Sequence, residues 1–153
     1  MRRILTLLLA ILALGALPAS AQRTAAGTIM TAADAHAKAL AGAVILVDIR
    51  TPEEWKDTGV PASAHAVTMH QAGPAFVAGL KAAMGGDTTK PLAIICSSGN
   101  RTSNIYADLQ RAGFTRLINV AEGVGGGPFG RGWLKSGLPL RAMAAPLMSH
   151  KPI

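Results

Sequence analysis

Short apolar runs rich in β-branched residues alternate along this chain with stretches whose apolar positions recur at helical spacing. That alternation predicts an α/β domain built around a mostly parallel sheet. Val44 to Val47 and Leu92 to Ile95 are continuous apolar runs, the pattern of strands buried on both faces, and Leu117 to Val120 and the briefer Ala64 to Val67 complete the strand set. Between them, Thr31 followed three residues later by Asp34 predicts a capped helix running to about Leu40. Thr51-Pro52-Glu53-Glu54 opens a short surface helix with a cap candidate, proline at the first helical position and two acids in the first turn. Pro74 to Met84 reads as a helix stopped by Gly85-Gly86, and Arg101 to Ala112 as another, with Ile105 and Leu109 at core spacing and Gly113 at its end. The glycine-rich stretch Glu122 to Gly132 predicts a loop, and Trp133 the start of a short turn.

The first residues obey a different rule. Arg2 and Arg3 precede an uncharged apolar run from Ile4 to Leu17, and Ala19-Ser20-Ala21 supplies a small-x-small cleavage site. Residues 1–21 are therefore expected to be a secretory signal peptide, because the run is shorter than the roughly 20 apolar residues a spanning helix needs. The protein is expected to be exported, to the periplasm in a Gram-negative host and to the medium otherwise, with no stable membrane association after cleavage. The rest of the chain has the length of one ordinary domain, expected over residues 28–140, with a poorly ordered tail at 141–153.

Charge contributes mainly by exclusion. The chain is basic, +7 at neutral pH, but its lysines and arginines are scattered, and two tryptophans, one tyrosine and three phenylalanines are too few to interleave with them. A nucleic-acid footprint is absent from this pattern, and small anions are the better partner class. A single cysteine excludes an internal disulfide and a cysteine-based zinc site, and no metal or organic cofactor is expected.

That cysteine is the candidate chemistry. A free cysteine is most often a small core hydrophobe, yet Cys96 opens the polar loop Cys96-Ser97-Ser98-Gly99-Asn100-Arg101 where a strand hands over to a helix. Such strand ends carry the ligand sites of α/β folds. The loop amides, the positive end of the following helix and Arg101 would all favour an anion there, and the thiolate is the reactive form of cysteine. Asp48 and Arg50, at the end of another strand, are expected to support the loop rather than to react. His65 and His70 lack ligand-spaced partners, and Trp55 and Trp133 read as core anchors.

Taken together, these segments resemble the rhodanese superfamily. The loop resembles that family's six-residue active-site loop. Val47-Asp48-Ile49-Arg50-Thr51-Pro52-Glu53-Glu54-Trp55 is similar to its Asp-Val-Arg-x-Pro-x-Glu-aromatic segment, Gly59-Val60-Pro61 to its Gly-His-Ile-Pro, and Gly113-Phe114 and Trp133 to Pro139 to its closing elements. The resemblance implies a rhodanese-like fold, a five-stranded mostly parallel sheet flanked by helices. It also implies a sulfurtransferase in which Cys96 takes a sulfane sulfur from a small anionic donor, thiosulfate-like or a persulfide. The sulfur would pass as a persulfide to a thiol, cyanide or protein acceptor, with the protein acting as a monomer. Ser97, Ser98, Gly99, Asn100 and Arg101 would bind the donor and stabilise the persulfide. Two departures stand out: Ser97 sits where many thiosulfate-using members carry a basic residue, and Gly125 to Arg131 lengthens the approach to Trp133. The rival readings are a non-catalytic module that binds a partner or senses thiol oxidation, and a cysteine-based phosphatase or arsenate reductase.

Overall fold

A computed structural model of the chain describes residues 23–24 and 27–143. The apolar run, the cleavage site and the end of the tail lie outside them. The elements are β1 (Arg23–Thr24), β2 (Gly27–Met30), α1 (Ala32–Leu40), β3 (Ile45–Asp48), α2 (Pro52–Thr58), β4 (Val60–Pro61), β5 (Ala64–Ala66), α3 (Gly73–Ala83), β6 (Leu92–Ile95), α4 (Asn100–Arg111), β7 (Leu117–Val120), α5 (Gly132–Lys135) and β8 (Leu140–Arg141). The main sheet runs β1-β2-β7-β6-β3-β5. Its last five strands are mutually parallel, and β1 adds a short antiparallel edge. This is the expected five-stranded α/β arrangement with one further strand.

Strand alternation sorts the core into two layers, because successive side chains point to opposite faces. Leu46, Ala93, Ile95 and Val120 meet Ala32 and Ala35 of α1, Trp55 of α2 and Trp133 of α5 on one face. Val47, Leu92, Ile94 and Leu117 meet Phe76, Leu80 and Met84 on the α3 side and Leu109 of α4 on the other. Both tryptophans are core anchors, Trp133 being fully buried.

Local chemistry fixes the helix ends. Thr31 Oγ1 accepts from the Asp34 amide, and the Ala32 amide donates to Glu122 Oε2, so a distant carboxylate helps to cap α1. In α2, Thr51 and Glu54 form a reciprocal capping box, each side chain accepting the other's amide. A second small sheet pairs Val60 with Arg141 and Pro61 with Leu140, so the regular structure reaches Arg141, one residue beyond the expected boundary. Arg141 also donates to the Ala64 carbonyl. Among the described residues no helix is long and apolar enough to cross a membrane.

Because β3, β5, β6 and β7 run in one direction, Asp48, Ala66, Ile95 and Val120 all end at the same edge of the sheet.

Candidate active site

Cys96 follows β6 at that edge. Its side chain is almost completely enclosed, 1 % exposed, and its Sγ receives the Gly99 N–H at 3.2 Å and lies 4.0 Å from Thr102 Oγ1. Gly99 makes this possible. Its φ of 87° is left-handed, and a Cβ there would collide with the Ala121 carbonyl, so only glycine turns the chain sharply enough to aim its amide at sulfur. Asn100 then begins α4, whose positive end faces the thiol. Of the loop amides expected around sulfur, Gly99's is the one at hydrogen-bond distance among the described residues.

The loop is gripped from behind. The Gly99 carbonyl accepts from Thr102 Oγ1 or Ser103 Oγ, at 2.7 and 2.9 Å, and Thr102 Oγ1 lies 2.5 Å from Asn119 Oδ1 on β7. Asn119 Nδ2 donates to Ser103 Oγ. On the other side the Val124 and Gly125 amides donate to the carbonyls of Cys96 and Ser97 at 2.8 and 2.9 Å. Gly123 lies against the Ser97 backbone so closely that a Cβ would clash. The glycine-rich stretch therefore begins as a floor under the loop. Further on, Gly127, whose backbone lies against Ser98, bridges to Gly130 to close a tight turn that carries Phe129, 54 % exposed.

Arg101 does not simply face the sulfur. Its Nη1 and Nη2 donate to Glu54 Oε2 and Oε1 at 2.7 and 2.6 Å, a two-toothed ion pair, and Nη1 also donates to His70 Nε2 at 3.3 Å. Among the described residues, two of its five N–H groups have no partner other than the neighbouring Cys96 and are left for an anion. The hydrogen bonds from Arg101 pull the Glu54 carboxyl down to about 2, with the Thr51 amide helping and burial opposing. Hydrogen bonding to Glu54 in turn raises Arg101, and the neighbouring Cys96 adds to it.

Asp48 and Arg50 support the site differently from expectation. Both are buried, and Arg50 meets both carboxylate oxygens of Asp48, Nη2 at 2.7 Å, while its own amide donates to Oδ1. The rest of the guanidinium donates to Thr58 Oγ1 and to the carbonyls of Gly59 and Glu54. The pair thus braces α2, and among the described residues its link to the cysteine loop runs through Glu54.

Sequence reasoning missed Glu54, Thr102 and Asn119, and left His70 unassigned. Thr51-x-x-Glu54 is a legible capping box, but nothing in it signals a partner 47 residues away. His65 is exposed on β5.

The Glu54–Arg101 pair makes stability pH-dependent. A carboxyl lowered from 4.5 to about 2 contributes stability that is complete above its unfolded value and is lost as pH falls from about 4.5 towards 2. The pair is partly open to solvent, so the screened contribution is about 1 kcal/mol. Acid denaturation of Glu54→Gln should show that much less dependence on pH across this window. An unchanged profile would contradict the assignment.

A family model described as "Rhodanese-like domain" matches residues 31–126. No curated protein matches the chain. Among solved structures, Rv0390 from M. tuberculosis is 26 % identical with a TM-score of 0.57, over 74 % of this chain and 96 % of its own. The polysulfide-sulfur transferase homodimer from Wolinella succinogenes is 23 % identical with a TM-score of 0.56, over 82 % and 86 %. RPA3614 from Rhodopseudomonas palustris, described as a protein of unknown function and possible tyrosine phosphatase, is 24 % identical with a TM-score of 0.53, over 74 % and 83 %.

Proposed function

This chain belongs to the rhodanese-like domain family, and on that basis we propose that it is an exported sulfurtransferase working through a Cys96 persulfide. The observation that carries the reading is the placement of the Cys96 sulfur at the mouth of a strand-to-helix loop, under the Gly99 amide and the N-terminus of α4.

The Cys96 thiolate attacks the outer sulfur of an anionic donor. With thiosulfate the S–S bond breaks, sulfite leaves with the bonding pair, and Cys96 carries S–S⁻. An acceptor thiolate or cyanide then attacks the terminal sulfur and returns the Cys96 thiolate, cyanide leaving as thiocyanate. This is covalent catalysis in two half-reactions. The Gly99 amide and the helix terminus stabilise the sulfur anion, and the two remaining N–H groups of Arg101 receive the donor. The Wolinella protein, which shares the fold, is named for a sulfur transfer of this kind. A small anionic donor, a thiol, cyanide or protein acceptor, a monomer, and no nucleic-acid partner complete the proposal.

Incubating the purified protein with thiosulfate should add one sulfur atom to its intact mass, and cyanide should remove it. Aryl phosphates should not be hydrolysed. From Cys96 to Arg101 the loop spans six residues, one fewer than the Cys-x5-Arg loop of cysteine phosphatases, which leaves too small a ring of amides for a phosphoryl group. Cys96-dependent phosphatase activity would overturn the reading. The enclosure of Cys96 favours one rival, a module that binds or senses without turnover, and failure of every sulfane donor to mark Cys96 would select it. Export is tested by the N-terminus of protein made in a secreting host, expected at Gln22; an intact Met1 would refute it.

A further inference from the structure

A pocket of about 250 Å³ lies between α3 and α4, with Gly73 and Asp108 in its lining. Its apolar side chains, Met69, Val77, Ile105 and Leu109 among them, belong to the same core layer as Cys96. The pocket also adjoins the mouth of the cysteine loop. Met69 directly precedes His70, whose ring meets Arg101, and the Met69 amide donates to the Ile49 carbonyl where the chain leaves β3. On α4, Ile105 follows Arg101 by four residues, so the two share one face of the helix.

Size and charge together define what the pocket can hold. A cavity of about 150 Å³ takes up benzene, so this one has room for a single aromatic ring and the first carbons attached to it. Thiosulfate, sulfite and cyanide have no apolar body to place there. The Asp108 carboxylate lines the wall, and its ion pair with Arg111 is open to solvent, so an anionic group inside would meet a like charge. A neutral apolar group would not. Along α4, one helical turn of about 5.4 Å separates Arg101 from Ile105, which a two-carbon link between a sulfur and a ring can span.

We propose that this pocket is the subsite for the organic arm of the sulfur acceptor, and that the acceptor is a thiol carrying a neutral apolar group, an arylalkyl thiol being its simplest form. The proposal rests on the sulfurtransferase reading. With the arm seated between α3 and α4, the acceptor thiolate attacks the terminal sulfur of the Cys96 persulfide. The S–S bond breaks with its electron pair going to Cys96, and the acceptor leaves as an organic persulfide. The donor anion uses Arg101 and not the pocket, so one mouth serves two half-reactions with chemically different partners.

Two measurements test this. In the first, Cys96 is loaded with sulfur from thiosulfate, checked by intact mass, and the second-order rate of sulfur loss is followed with 2-phenylethanethiol, 2-mercaptoethanol, glutathione and cyanide, each thiol's rate being expressed per thiolate. The aryl thiol should outpace 2-mercaptoethanol, which has the same two-carbon link, by at least about tenfold, since each buried methylene-sized group contributes about fourfold. Glutathione, with its two carboxylates, should trail the aryl thiol. Gly73→Leu and Val77→Phe should each remove the preference while the cyanide rate, which does not depend on the pocket, stays within about twofold. Gly73 accepts a side chain without strain: its backbone lies outside the left-handed region, and a Cβ there meets nothing within 4 Å among the described residues. In the second measurement, 2-phenylethanol, which carries no sulfur, should shift the methyl NMR signals of Met69, Val77 and Ile105 in the unloaded protein and leave those of Gly73→Leu unmoved. Equal rates for the aryl thiol and 2-mercaptoethanol, glutathione outpacing the aryl thiol, a preference that survives in both filled variants, a cyanide rate that falls with it, or unshifted methyl signals would each overturn the proposal. Failure of thiosulfate and every other sulfane donor to load Cys96 would instead overturn the sulfurtransferase reading, and the second measurement would still report on the pocket.

Discussion

Cys96→Ser is expected to reduce sulfur transfer by at least about a thousandfold while leaving the fold standing. Serine has the right size for the enclosed position, and its hydroxyl can still accept the Gly99 amide and reach towards Thr102. The stability change should therefore stay near 1 kcal/mol, roughly the scale of one exchanged hydrogen bond. What serine cannot do is hold a sulfane sulfur, because no stable oxygen counterpart of the persulfide forms under these conditions. Denaturant unfolding and single-turnover transfer from thiosulfate to cyanide separate the two effects. Residual transfer at a tenth of wild type would rule out the covalent mechanism, and collapse of the fold would mean that Cys96 is held for packing.

Stability should suffer most elsewhere, at Asp48→Ala. Asp48 is 0 % and Arg50 2 % exposed, and the carboxylate carries three contacts from the guanidinium and one from the Arg50 amide. Removing it strands a buried cation, which costs about 3–5 kcal/mol. That is a large part of the roughly 5–15 kcal/mol typical of a domain. The midpoint of urea unfolding should fall accordingly. Replacing both partners, as in Asp48→Leu with Arg50→Met, should recover only part of the loss, because Arg50 also satisfies the Gly59 carbonyl and Thr58. A loss below about 1 kcal/mol for Asp48→Ala would show that water or rearrangement rescues the charge. The damage should extend to activity, since α2 carries Glu54, and Glu54 sets the position of Arg101.

Such reach is a consequence of how the site is assembled. Asp48 holds Arg50, Arg50 holds the ends of α2, the α2 capping box aims Glu54, and Glu54 holds Arg101 beside the cysteine loop. The glycine-rich segment after β7 closes the opposite side through the carbonyls of Cys96 and Ser97.

The features legible in the residue order are those whose causes are local. Continuous apolar runs became β6 and, up to its final Asp48, β3, since strands buried on both faces are mostly apolar. Thr31, Thr51 and Gly113 marked helix ends because capping is settled within a few residues. The cysteine stood out because it begins a polar, glycine-containing loop rather than sitting inside an apolar run. Which side chains complete that loop was settled by the fold in three dimensions. Glu54, His70 and Asn119 come from α2, the turn after β5 and β7, and parallel strands bring them together at one sheet edge however far apart they lie in the chain. The same is true of the sharing of Arg101 with a carboxylate and of the bracing of α2 by Asp48 and Arg50, because ion-pair partners are chosen by burial and distance, which residue spacing does not encode.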